Sequence, residues 1–388
     1  MFIANRMKNI GSAIFSEMAL RKQNELKKGK NIVDLSIGTP DLPPPKAVIE
    51  AMGKAMSEPK SFFYSLKGTE EVHKAITDWY YNRFNVVLNH EQEITTLMGS
   101  QDGLAHLPLT ILNPGDIALV PDPGYPIYFA SVELAGGTVH TMPLLEENSY
   151  LPDLQAIPEE VATKAKLMFL NYPSNPVSAV ADLAFFEQVV AFAKKYNILV
   201  VHDLAYSELC FDGYKPPSFL EVAGAKDIGI EINSLSKSYN MAGARFGFAL
   251  GNKEVLKNLT ILKSNIDYGV FHVVQAGALA ALKDGGKHCK KMSDVYQERR
   301  DILINGLEKL GWKINKPKAS MFIWARIPEG YTSKEFAVLL LEQAGIVVIP
   351  GDAFGAMGEG YVRIGLVQNN EQLNTAIEQL KNSGITFK

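Results

Sequence analysis

The sequence predicts an α/β fold, with a mostly parallel seven-stranded sheet between layers of helices and a smaller α+β domain beside it. Three observations carry this expectation. Strand-like runs at 94–98, 117–121, 138–142, 166–171, 198–203, 229–234 and 245–250 alternate with helical segments from about residue 102 to 250. Further on, Val295, Ile302, Leu303, Leu307 and Leu310 recur at helical spacing between Asp294 and Leu310, ahead of strands near 320–326 and 346–349. A chain of 388 residues, 47% of them hydrophobic, is also long enough to build one large and one smaller core.

The elements are informative mainly at their ends. The run Ile94–Met98 stops at Gly99-Ser100-Gln101, just before the helical stretch from Asp102 to Ile111. Backbone N–H groups at such a helix start can cradle a phosphate, although Gly-Ser before a helix is usually only a turn and a cap. The strand from Lys166 to Leu170 runs into Asn171-Tyr172-Pro173-Ser174-Asn175-Pro176, an Asn/Pro turn that fixes the chain while presenting amide side chains. The apolar run Ile198–Val201 reads as a buried strand ending at His202-Asp203, with Tyr206 three residues later. Ligands of open α/β sheets sit at the carboxyl ends of strands, which aims Asp203 and Tyr206 at whatever is bound. The simpler reading makes Asp203 a helix cap and Tyr206 core.

Between the runs at 229–234 and 245–250, Lys237 stands among Ser234, Ser236 and Ser238, with Arg245 eight positions on. A lysine amine forms an imine with an aldehyde, and serine hydroxyls with an arginine supply the donors and charge that a phosphate dianion requires. Those needs coincide in pyridoxal phosphate (PLP). A carboxylate such as Asp203 would keep the PLP pyridine nitrogen protonated, and Tyr206 and Asn175 would donate to its O3′ oxygen.

Taken in order, Tyr64, Gly99-Ser100-Gln101, Pro123-Gly124-Tyr125-Pro126, Asn171…Asn175-Pro176, Asp203…Tyr206, Ser234-x-Ser236-Lys237…Arg245 and Arg363 resemble the class I/II PLP-dependent aminotransferases of fold type I. The likeness covers nearly the whole chain. It implies that Lys237 carries the cofactor and shuttles the substrate's α-proton, that Asp203 pairs with the pyridine nitrogen, and that Tyr206 and Asn175 hold O3′. It further implies that Gly99, Ser100, Gln101, Ser234, Ser236 and Arg245 bind the phosphate, that Tyr125 stacks on the ring, and that Arg363 clamps the substrate carboxylate beside Gly38, with Asn175 close by. Tyr64 is expected to reach a neighbouring subunit's phosphate, which implies a homodimer with shared sites. The resemblance places residues 1–45 with a small C-terminal domain, 286–388, and makes 46–285 the large cofactor domain. Two departures stand out: the family's usual Asn-Pro-Thr-Gly reads Asn175-Pro176-Val177-Ser178, and its usual Gly-Trp-Arg reads Gly243-Ala244-Arg245.

What the resemblance implies chemically is amino-group transfer from an L-amino acid to a 2-oxo acid, in two half-reactions with ping-pong kinetics. A PLP-dependent carbon–sulfur β-lyase would use the same lysine, acid and arginine, and a non-enzymatic PLP-binding regulator is the alternative of another class. The segment 263–269, with 202–206 and 211–214, is most similar to the branch containing LL-diaminopimelate aminotransferase-like enzymes. Aspartate, aromatic and 4-methylthio-2-oxobutanoate aminotransferases lie near that branch. Asn265 and Asp267 fit a stiffened turn as well as they fit a substrate contact.

Composition sets the outer limits. A formal net charge of −3 gives no global basic field for nucleic acid. Two cysteines, Cys210 and Cys289, argue against a disulfide framework, and neither has metal-ligand spacing with a histidine, so no metal is expected. No apolar run reaches membrane-spanning length, and the start lacks a sustained apolar segment, which leads to the expectation of a cytoplasmic protein without membrane partners.

Overall fold

The computed structural model of the protein describes residues 2–8 and 13–387. Residues 1, 9–12 and 388, which fall within the expected N-terminal segment and small domain, lie outside the described residues. Twelve strands are found among the described residues: β1 Val33–Asp34, β2 Ile94–Leu97, β3 Ile117–Asp122, β4 Thr138–Pro143, β5 Ala165–Asn171, β6 Leu199–Asp203, β7 Gly229–Ser234, β8 Gly247–Gly251, β9 Phe322–Arg326, β10 Ile346–Val347, β11 Ile349–Pro350 and β12 Tyr361–Gly365.

Seven of them form one sheet in the order β2-β8-β7-β6-β5-β3-β4. All seven correspond to the expected runs. The sheet is parallel except for β8, which pairs antiparallel with both β7 and β2. Its middle strands are buried on both faces, which explains why they read as continuous apolar runs rather than alternating ones. One face packs Met168, Leu170 and Val200 against Phe185, Phe186 and Val189 of the helix Leu183–Tyr196. The other packs Phe169, Val201 and Ile232 against Leu104, Leu107 and Tyr128.

A second body holds the antiparallel sheet β11-β12-β9 and the two-stranded parallel pair of β1 and β10. Met18, Val33 and Leu35 from the N-terminal part share its core with Leu303, Trp312, Phe336 and Leu340. The expected helix from Asp294 starts earlier and spans Lys287–Lys309. The expected strand at 346–349 is two short ones: β10 pairs with β1, and β11 with β12. Tyr206, Leu209 and Phe211, just past β6, are also part of this core, so the chain leaving the large sheet is anchored in the second body. No helix among the described residues is long and apolar enough to cross a membrane.

Candidate active site

The carboxyl ends of β5, β6 and β7 point at a cavity of about 570 Å³, closed from the other side by Gly38 and by Arg363 on β12. Ser100, Gln101, Tyr125, Asn175, Asp203, Tyr206, Ser234, Ser236, Lys237 and Arg245 all line it. Gly99 lies beneath Arg245 at its edge. Tyr64 does not: it is 84% exposed and stacks on Tyr268 at 5.1 Å between ring centroids. A roomier cleft of about 690 Å³ lies between the helices Lys46–Met56, Glu70–Phe84 and His272–Leu282, away from the strand ends where the charged groups converge.

Asp203 ends β6 at the cavity floor. Its carboxylate accepts from the hydroxyl of Tyr128 at 2.9 Å and from the backbone N–H of Ala205 at 3.1 Å. Burial pushes its pKa up, and those two donors pull against that shift. Tyr128 is held in turn by stacking on Phe169, 5.1 Å away. The Asn171 side chain secures the neighbouring turn, donating to the Asp203 carbonyl at 2.8 Å and accepting from the Asn175 N–H at 2.7 Å. The backbone of Asn175 is thereby tied to the end of β6.

At the opposite end, the helix Ser100–Ile111 begins at Gly99, with its first N–H groups beside Arg245. Gly99 has φ +80°, and a Cβ there would fall 2.3 Å from Arg245 Nη2, so both the backbone and the guanidinium require glycine. Ser234 caps the single turn Leu235–Ser238 and bonds the Ser236 hydroxyl at 2.8 Å, which brings both serines to the same corner. Behind the cradle, Asp102 accepts from the Met98 N–H at 2.7 Å, and the buried Lys263 ammonium bonds both Asp102 and Asp267. Asp102, His106 and Asp267 lie within metal-binding reach of one another, but the Lys263 ammonium already bridges the two carboxylates. Asp267 caps the end of the helix Lys253–Ile266 and is tied to Lys263 one turn back, while Asn265 within that helix donates to the Ile261 carbonyl.

Lys237 lies between these two ends, its ammonium donating to the Gly38 carbonyl. Burial, then the nearby Arg363 and Arg245, lowers its pKa from 10.5 to about 8, with Asp203 opposing. An amine tuned this way gives up its proton much closer to neutral pH than an ordinary lysine does. Arg363 donates to Asn175 Oδ1 at 2.9 Å and to the Ser36 carbonyl at 3.0 Å, and its Nε has no partner. Its guanidinium lies over the rings of Phe322, at 4.1 Å, and Phe354, at 4.8 Å. Burial pulls its pKa down to about 10. A buried guanidinium with no carboxylate among these partners is a ready receptor for one.

The sequence pattern of the aminotransferase class I and II family matches residues 30–380. The chain belongs to that family. LL-diaminopimelate aminotransferases are similar along its whole length, that of Halothermothrix orenii at 47% identity over 99% of both chains and that of Aquifex aeolicus at 46% over 98% of both. Among solved structures, substrate-bound BacF from Bacillus subtilis superposes with a TM-score of 0.96 at 39% identity, covering 100% of this chain and 99% of that one. This aminotransferase is therefore PLP-dependent, has fold type I, and acts on amino and 2-oxo acids. The cavity fits the cofactor: a cationic, N–H-lined corner that excludes even a Cβ, a lysine, and a buried acid stand in one continuous space.

Three residues that matter here were not singled out as site residues from sequence. Tyr128 follows Tyr125 by three positions on the helix that starts at Pro126, so a shared helical face was the available signal. Asn171 was visible as part of the turn but not as its internal clamp. Lys263 entered only as part of the segment 263–269, because a lysine 161 positions from Asp102 gives no sign of pairing with it.

Proposed function

We propose that Lys237, Asp203, Tyr206, Asn175, Arg245 and Arg363 act as the family resemblance implies, and that the donor is an L-amino acid of the diaminopimelate or aspartate type. When bound, PLP supplies an aldehyde and a ring that takes up electrons from the substrate's Cα. Lys237 holds the cofactor, then takes and returns the proton at Cα, a role suited to an amine with a pKa near 8. Asp203 holds the proton at the pyridine nitrogen. Tyr206 and the amide nitrogen of Asn175 donate to O3′, Tyr125 covers the ring, and Gly99, Ser100, Gln101, Ser234, Ser236 and Arg245 take the phosphate. Arg363 receives the substrate carboxylate beside Gly38, orienting Cα toward Lys237.

The single observation behind this reading is that one cavity joins Lys237, Asp203, Arg245 and Arg363, residues drawn from separate elements of the chain. The diaminopimelate part rests on the names of relatives 45–47% identical over nearly the full length. A panel of amino donors with 2-oxo acid acceptors tests it. LL-diaminopimelate or aspartate should give the highest kcat/KM, and preference for an unrelated donor would reassign the substrate.

We also propose a cytoplasmic homodimer with residues 1–45 and 286–388 forming the small domain and 46–285 the large one. Both cysteines are free, as a reducing compartment keeps them. Phe62, Phe63, Tyr64, Leu66 and Tyr268 form an exposed apolar patch of the kind that marks a subunit contact. Tyr64 would then complete the neighbour's phosphate site. Mixed dimers of Lys237→Ala and Tyr64→Phe chains should regain activity over either parent, since one of their two sites combines intact Lys237 with intact Tyr64. Verified heterodimers without recovery, after Tyr64→Phe alone has shown a defect, would rule out a shared site.

A further inference from the structure

The turn that carries Asn175 departs from the family's usual Asn-Pro-Thr-Gly at its last two positions, and both replacements dock it onto the three-stranded sheet. Val177 packs with Trp324, Ile349 and Phe354. Ser178 occupies the glycine position at φ +57°, a left-handed conformation that strains an L side chain. Its hydroxyl donates to the Phe322 carbonyl at 2.8 Å and is buried there. Strain kept at a functional site and compensated by a specific bond calls for a reason.

The reason lies in what Phe322 supports. On β9 it pairs with Gly365 of β12, two residues beyond Arg363, and its ring lies 4.1 Å from the Arg363 guanidinium. The same ring would meet a Cβ at Gly38 at 3.3 Å and packs edge-on to Tyr206 at 6.0 Å. Two side-chain bonds therefore span from this turn to the three-stranded sheet: Asn175 to Arg363, and Ser178 to Phe322. An incoming carboxylate bears on the first, because it draws on other donors of Arg363, the unpartnered Nε among them. It leaves the second untouched.

We propose that Ser178 is a positioning residue for substrate binding: its bond to the Phe322 carbonyl keeps the Arg363 sheet in register with the Asn175 turn while Arg363 engages the substrate carboxylate. Val177 supports the same docking through packing. This inference rests on the carboxylate role given to Arg363 above.

The test compares Ser178→Gly, Ser178→Ala and the double variant Val177→Thr/Ser178→Gly as holoenzymes. An α-methyl amino acid, which binds but has no α-proton to lose, reports substrate affinity through the cofactor's absorbance. Its Kd and the donor KM should rise roughly three- to tenfold in both single variants, the loss of one hydrogen bond, and at least as far in the double variant. Turnover at saturation and PLP retention should stay within about twofold of the unaltered protein. Ser178→Gly should melt no lower than the unaltered protein, because relief of the left-handed strain offsets the lost bond. Unchanged Kd and KM in Ser178→Gly would overturn the inference, as would rises that merely follow a falling melting temperature in both single variants. An unaltered protein that transfers no amine from any donor would mark failure of the functional reading itself, and the inference would go with it.

Discussion

Lys237→Ala is expected to lose the visible absorbance of the lysine-bound cofactor and about 10⁴-fold or more in turnover, while the chain stays folded. On the proposed assignment the variant removes both the covalent attachment and the base at Cα, and the rest of the cavity is built from other elements: Asp203 on β6, Arg245 before β8 and Arg363 on β12. Normal cofactor absorbance in this variant would contradict the assignment. The lysine also makes stability depend on pH. With its pKa lowered from 10.5 to about 8 in the folded, cofactor-free chain, the ammonium is buried at a cost at neutral pH. From about pH 8 upward the folded chain has released a proton that the unfolded chain still holds up to about 10.5, so the cost shrinks across that window and is gone above it. Lys237→Met, which keeps the stem, should therefore make the cofactor-free chain more resistant to urea than the unaltered one at pH 7. The difference should close by pH 10.5. A gap that widens with pH would show the opposite sign.

Asp203→Asn should retain PLP but lose roughly 10²- to 10⁴-fold in the rate of amine transfer. The amide preserves the volume: its oxygen can still accept from the Ala205 N–H, and its NH2 group, standing where Oδ2 was, can donate to the Tyr128 hydroxyl, so the site's shape survives. What it lacks is the negative charge that, in the proposed role, would keep the pyridine nitrogen protonated. Because the residues proposed to take the phosphate, Gly99, Arg245 and Ser234, are unaltered, cofactor retention should hardly change. Single-turnover absorbance changes measure the transfer rate directly, and an unchanged rate would mean that another residue holds the ring nitrogen.

Most of the large sheet was legible because its strands end in residues of unusual chemistry, Asn171, Asp203 and Ser234, and because full burial makes them continuous apolar runs. The reversal of β8 was not, since an apolar run such as Phe246–Leu250 carries no direction. The helix Lys287–Lys309 was read short because Lys287, His288, Lys290 and Lys291 mask the buried Cys289 and Met292 in its first turns. Residues 346–350 form two strands rather than one because Ile346 and Ile349 pair in different sheets, a tertiary choice that local pattern does not encode. The residues proposed for the cofactor were picked out by motif order, and most of them line one cavity. The partners that hold them in place, Tyr128 under Asp203 and Lys263 behind Asp102, are contacts over 75 and 161 positions and became visible only with the fold. Ser178 is intermediate: the sequence exposed the missing glycine, and the structure supplied the Phe322 bond that accounts for it.

The most direct measurement of the central claim is a single half-reaction. Holoenzyme mixed with an L-amino donor, without any 2-oxo acid acceptor, should release one equivalent of 2-oxo acid per site, change its visible absorbance once, and stop. Adding a 2-oxo acid should restore the original spectrum with formation of one equivalent of its amino acid. Continued release of ammonia and a 2-oxo acid without acceptor would identify a lyase instead, and a spectrum unmoved by every donor would contradict aminotransferase activity altogether.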